Sequence, residues 1–177
     1  RMELDVEEVL RTTLEYLSTK TGPTNAAVFL PDPDQNYNLG AYVNYDCPRS
    51  SVDSVLGHLS HTICPQMAEE TEIVAFEDSS DFADWIGLDD GFFADSNVVA
   101  FSCRHAGECL AVVVLFRRKE DGFDERLAIT LDTMRSIFAE QLSRLIDVHH
   151  RATPSWPAEA DDDDDYDDYG FGFDLAA

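Results

Sequence analysis

Val6, Val9, Leu10, Leu14 and Leu17 recur at helical spacing, and Gly22-Pro23 closes that helix with a C-cap glycine and a residue that cannot continue it. A strand is expected over Asn25 to Leu30. Pro31-Asp32-Pro33-Asp34 breaks it, and Tyr37 to Tyr45 returns as a second strand, with Gly40 as a bulge or a point of close contact. Beyond Pro48, the spacing of Val52, Val55, Leu56, Leu59 and Ile63 predicts a second helix from about Ser50 to Met67. Glu72 to Phe76 reads as a short strand, Ser79 to Ile86 as a short helical turn, and Asp89 to Ser96 as a loop around Phe92 and Phe93. A hairpin from Val98 to Phe116 and a long apolar-striped helix from about Asp124 to His149 complete the pattern; from Ala152 onward no periodicity remains.

The hairpin is the most informative part. Its strands, Val98 to Arg104 and Glu108 to Phe116, flank a loop in which Gly107 can take positive φ. A three-residue loop would set Arg104 opposite Glu108 and Cys103 opposite Cys109 on one face. A two-residue loop would instead pair His105 with Glu108 and separate the cysteines. Leu110 to Phe116 is apolar on both faces, which predicts a central strand covered on both sides.

This order of elements, with VVAFSC from Val98, CLAVVVLF from Cys109 and the closing helix DERLAITLDTMRSIFAEQL from Asp124, resembles the GAF domain family over roughly residues 5 to 149. The resemblance implies an α+β fold of two to three layers (α/β/α). Its antiparallel sheet would have five or six strands, with the first and last helices packed together on one face and a small pocket on the other. Family members bind cyclic nucleotides, bilins, haem or small metabolites, or dimerise and couple to neighbouring signalling domains. The expected role is therefore a non-catalytic signalling or regulatory domain, for small-molecule sensing or for dimerisation and protein interaction. A cysteine-based redox enzyme or sensor resembling free methionine sulfoxide reductase is the alternative. The family's cyclic-nucleotide pattern N-K-x-x-F…D-E is absent; Cys103 is followed by Arg104 before His105, and Cys64 by Pro65, unlike the Cys-His of bilin attachment. No cofactor is named by these residues.

At 177 residues and 19.8 kDa the chain supports one domain, taken as residues 1–151, followed by an acidic tail at 152–177 that is expected to be disordered. Nine of the 24 net negative charges fall on Glu159, Asp161 to Asp165, Asp167, Asp168 and Asp174. The rest is acidic too, so nucleic acid is excluded as a partner. With no apolar run of 18 residues, no membrane span is expected. No signal peptide is visible, and Cys47, Cys64, Cys103 and Cys109 read as thiols of a reducing, cytoplasmic protein.

The resemblance places a pocket against Tyr42, Phe76, Phe82, Trp85, Phe92, Phe93, Phe101 and Cys103, an aromatic-rich wall that would hold a flat ligand or equally be a filled core. Cys103 and Cys109 are the redox candidates. His58, His61 and Cys64, three apart on the second helix, are candidate metal ligands with Cys47 as a fourth, although a helix turns about 600° over six residues and points the outer two roughly 120° apart. There is no G-x-S-x-G, G-x-G-x-x-G, P-loop or H-E-x-x-H. A homodimer is expected through the first and last helices, with Leu10, Leu14, Leu17, Leu131, Phe138 and Leu145 at the interface. Ile129, Ile137, Ile146 and Val148 widen the apolar face.

Overall fold

In a computed structural model, residues 2–87 and 91–152 are described; the acidic tail lies outside them. The elements run α1 (Met2–Thr21), β1 (Asn25–Pro31), β2 (Tyr37–Val43), α2 (Arg49–Glu69), β3 (Val74–Phe76), α3 (Ser79–Ile86), β4 (Ser96–His105), β5 (Glu108–Arg118), a 3-10 turn at Lys119–Asp121, and α4 (Leu127–Ala152). The five strands form one antiparallel sheet in the order β2-β1-β5-β4-β3. β5 is central, and Ala111 to Phe116 are buried, as a strand covered on both faces requires.

Strand alternation sorts the core into two layers. Ala26, Val28, Val99, Phe101, Val113 and Leu115 face α1 and α4, where they meet Leu10, Leu14, Leu17, Leu131, Phe138 and Leu142. Their alternate neighbours, among them Ala27, Phe29, Val98, Ala100, Val112 and Val114, face α2 and α3. The fold is thus an α/β/α sandwich with the terminal helices together on one side. Between β1 and β2 the register slips so that Val28 pairs with Ala41 and Phe29 with Leu39, leaving Gly40 as the bulged residue. A Cβ at Gly40 would come within 3.0 Å of Leu30 and 3.1 Å of Leu10, so the same glycine also marks a close approach.

The β4–β5 hairpin takes the two-residue loop. His105 pairs with Glu108, and Ala106 and Gly107 have φ of 51° and 80°. Cys103 pairs with Ala111 and Arg104 with Cys109, so Leu110 is an extra residue that flips the alternation. Cys109 therefore packs on the α2 side while Cys103 packs on the α1/α4 side.

Two polar devices hold the connections. The Asn25 side chain, 1% exposed, accepts hydrogen bonds from the backbone N–H groups of Tyr45, Asp46 and Cys47, and donates to Asp46 and to the Phe116 carbonyl. It organises the loop that leads into α2. At the other end of α2, Arg104 donates to the Ala68 carbonyl, Ser102 to Glu70 (2.7 Å) and Arg135 of α4 to Thr71 (2.7 Å). The Ala68 carbonyl in the last turn of α2, which the helix end leaves without an N–H partner, and the Glu70 and Thr71 carbonyls just beyond it are thereby satisfied by side chains from the sheet and from α4. No helix among the described residues is long and apolar enough to cross a membrane.

Candidate functional site

The α2/α3 face of the sheet carries most of the expected aromatic wall, and the rings fill it. Phe76 meets Phe82 at 5.0 Å and Trp85 at 5.2 Å between centroids; Phe93 meets Phe82 at 4.9 Å, Phe92 at 4.8 Å and Phe116 at 5.3 Å. Tyr42 stacks on Phe116 at 6.5 Å and donates its hydroxyl to the Cys47 carbonyl at 2.6 Å. These are ring-contact distances, edge-to-face or tilted apart from the stacked Tyr42–Phe116 pair, so the rings occupy each other's space. Phe101 and Cys103 do not belong to this wall. Being odd-numbered on β4, they point at α1 and α4, the opposite layer from Val98 and Ala100.

The cysteine pair is likewise divided by the sheet, because the two-residue loop sets Arg104 rather than Cys103 opposite Cys109. All four cysteines are free thiols. Burial pushes the thiols of Cys64 and Cys103 far up from the usual cysteine value. Burial also raises Cys109, against the opposing effects of its hydrogen bond with Tyr37 and of the nearby Arg104 charge. The metal candidates do not converge either. Cys64 is fully buried in the core, while His61 is exposed on the helix surface, and among the described residues no three His, Cys, Asp or Glu side chains gather as a metal site.

Of the expected interface residues, Leu10, Leu14, Leu17, Leu131 and Phe138 are each only 1% exposed, because the sheet itself consumes that stripe. They are core, and no second subunit can reach them. Leu145 is half-buried. The residues that do remain outside are Ile129 (74% exposed), Ile137 (53%) and Val148 (63%) on α4, with Tyr16 (48%) on α1.

A cleft of about 350 Å³ opens elsewhere, between the β1–β2 hairpin and α2. Its floor is Phe29, Tyr37, Leu39 and Leu56; one wall carries Gln35, Asn36 and Asn38. The other wall is a single stripe of α2 through Arg49, Asp53, Gly57, Ser60 and His61. The Asp32 carboxylate braces the hairpin wall, accepting from the Asp34 and Asn36 N–H groups at 2.9 Å and from the Asn38 amide at 3.4 Å. Those bonds, the Asn36 N–H foremost, hold its carboxyl below the usual aspartate range. His61 Nδ1 lies 2.7 Å from the Gly57 carbonyl and 3.0 Å from the Ser60 hydroxyl. Sequence reasoning missed this cleft. The available signal was a glycine inside an amphipathic helix, one turn from Asp53 and from His61. A second groove of about 380 Å³ lies beside β3 and the start of α4, lined by Ile73, Phe76, Val99, Phe123 and Leu127.

The layer order, the paired terminal helices and the central hairpin define a known arrangement, and a match to the GAF domain spans residues 5–156. The chain belongs to the GAF domain family. Solved GAF-like structures superpose over most of this domain. The GAF domain/HD domain protein from Geobacter sulfurreducens aligns at TM-score 0.65 and 16% identity, covering 82% of this chain and 98% of that one. A domain of a putative two-component sensor histidine kinase from Sinorhizobium meliloti 1021 gives 0.61 and 13%, covering 84% and 97%. The type II free methionine-R-sulfoxide reductase from Thermoplasma acidophilum gives 0.61 and 13%, covering 82% and 97%. At such identities the likeness is one of fold. No curated protein sequence matches this GAF domain.

Proposed function

We propose that this GAF domain is a non-catalytic signalling or regulatory module, cytoplasmic, that works by pairing with a second copy of itself along α4, with α1 alongside. The observation that carries this reading is the outward apolar set on a helix whose inner face is already used. Ile137 and Val148 stand eleven residues apart, within about 20° of three whole turns, and so share one line of α4; Ile129 projects further round the outer side. Large aliphatic side chains so placed on a helix in contact with α1 favour a partner that covers them.

Charge selects α4 over α1 as the centre of the contact. α1 carries five acidic residues against two basic, whereas α4 carries three of each, so two copies of α4 approach without net repulsion. A symmetric contact would bury about 1,200–2,000 Å² in total. A neighbouring signalling domain or protein partner would read the paired state. The structural likeness to a domain of a two-component sensor histidine kinase supports that setting. The cysteine-based alternative loses its opposed pair to the two-residue loop, which sets Arg104 rather than Cys103 opposite Cys109.

Light scattering at micromolar concentration and physiological salt tests the proposal. The expected mass is roughly twice the 19.8 kDa chain. Ile137→Glu should return it to one chain with unchanged circular dichroism. A single-chain mass for the parent protein at every concentration would overturn pairing.

A further inference from the structure

The cleft between the β1–β2 hairpin and α2 is shaped by a residue the fold does not need. Gly57 sits inside α2 with a negative φ, and a Cβ built on it would meet nothing within 4 Å. An interior helical glycine costs about 1 kcal/mol relative to alanine, and here no close packing or turn requires it. What the missing side chain does is leave room in the cleft, between Asp53 one turn before and His61 one turn after.

The polar groups around that space are of both charges. Arg49 and Asp53 lie at the same end, 2.8 Å apart, with side chains 57% and 68% exposed. A pair so exposed holds together weakly, and its opening to admit a ligand costs little. The guanidinium fork suits a carboxylate, and the Asp53 carboxylate suits an ammonium group. Pro65, also lining the cleft, has no N–H to give the His61 carbonyl, which adds an acceptor without its ordinary helical donor. Below them the accessible apolar surface is the half-buried Leu39 and the exposed Pro65 ring, backed by the buried Phe29 and Leu56. The net charge of −24 repels anions but leaves a ligand of zero net charge unaffected. A volume of about 350 Å³ lies at the small end of ligand pockets.

We propose that this cleft binds a small zwitterion of the α-amino acid class carrying an apolar side chain, its carboxylate on Arg49, its ammonium group on Asp53 and its side chain on the apolar floor. The site is independent of the pairing surface on α4.

The test follows backbone amide NMR shifts of the isotopically labelled full-length chain on titration with L-leucine. Two analogues serve as comparison: isopentylamine, which lacks the carboxylate, and isocaproate, which lacks the ammonium group. Leucine is expected to give saturable shifts within residues 35–39 and 53–61. Each one-charge analogue should bind at least about tenfold more weakly, having lost a charge-assisted contact. Gly57→Leu should fill the space and abolish saturable binding, while melting no lower than the parent. Arg49→Gln should weaken leucine and isocaproate and leave isopentylamine unchanged. Absence of leucine shifts in these segments, equal binding of all three compounds, or a Gly57→Leu protein that titrates like the parent would each overturn the proposal.

Discussion

Replacing Asn25 by alanine should cost far more stability than a polar-to-alanine change at a strand end usually does. The side chain makes five hydrogen bonds: Oδ1 accepts from Tyr45 at 2.9 Å, Asp46 at 3.2 Å and Cys47 at 3.3 Å, and Nδ2 donates to Asp46 at 2.6 Å and Phe116 at 3.2 Å. At about 1 kcal/mol net each the simple sum would be roughly 5 kcal/mol. That sum is too large. Tyr45 and Asp46 are exposed, so their N–H groups regain water, and the Phe116 carbonyl keeps Thr24 Oγ1 at 3.3 Å as a donor. The expected loss is therefore about 3 kcal/mol in urea unfolding, or a fall in Tm of roughly 6–12 °C for a chain of this size. Asn25→Asp sharpens the test. It keeps the acceptor but sets a second carboxylate against Asp46, so it should also destabilise, and adding Asp46→Asn should recover part of the loss by restoring a donor. An Asn25→Ala protein within about 0.5 kcal/mol of the parent, or an Asn25→Asp protein as stable as it, would refute the account.

Two further outcomes follow from buried groups. Gly22 has φ +78°, and a Cβ there would lie 3.3 Å from Nη1 of Arg117, which donates at 2.7 Å to the Thr21 carbonyl at the end of α1; Gly22→Ala should therefore cost about 1–2 kcal/mol by urea unfolding. Because burial raises the Cys64 and Cys103 thiols, they stay protonated and covered at pH 8, and N-ethylmaleimide on the native protein should add at most two groups by intact mass, reaching four only with denaturant. For both thiols a folded value above the unfolded one favours the native state across neutral pH, a contribution that begins to fall as pH passes the ordinary thiol value and is gone once pH has risen through the folded values; faster labelling of either than of Cys47 would contradict the placement.

Most elements were legible because their signals are local. The spacing of Val52, Val55, Leu56, Leu59 and Ile63 is enough for α2, and the two-sided apolar run from Leu110 is enough to put β5 at the centre of the sheet. Registers and faces were less so. A single inserted residue, Leu110, reverses the side on which Cys109 emerges, and nothing in its apolar neighbours signals a bulge. Phe101 and Cys103 go to the terminal-helix layer because β4 alternates from Val98, which fixes relative faces but not which helices cover each one. The leucine stripes of α1 and α4 look alike whether they meet a sheet or a partner. Only the covering surface distinguishes Leu131 from Ile137. Asn25 escaped notice since a polar residue at a strand start reads as a boundary, and its partners at 45–47 lie beyond the next strand.

The position of β5 also governs the order in which a ribosome can deliver this fold. β1 emerges early, yet its inner neighbour is made last of all the strands, with Ala27 waiting for Val114 and Ala26 for Leu115. Until then the β1–β2 hairpin carries an unfilled backbone edge and an apolar face that α1 alone half covers. Sheet closure is thus a late, long-range event, slow by the entropy of the loop it must close. The interval between those two strands is when the nascent chain most needs protection from pairing with another copy of itself.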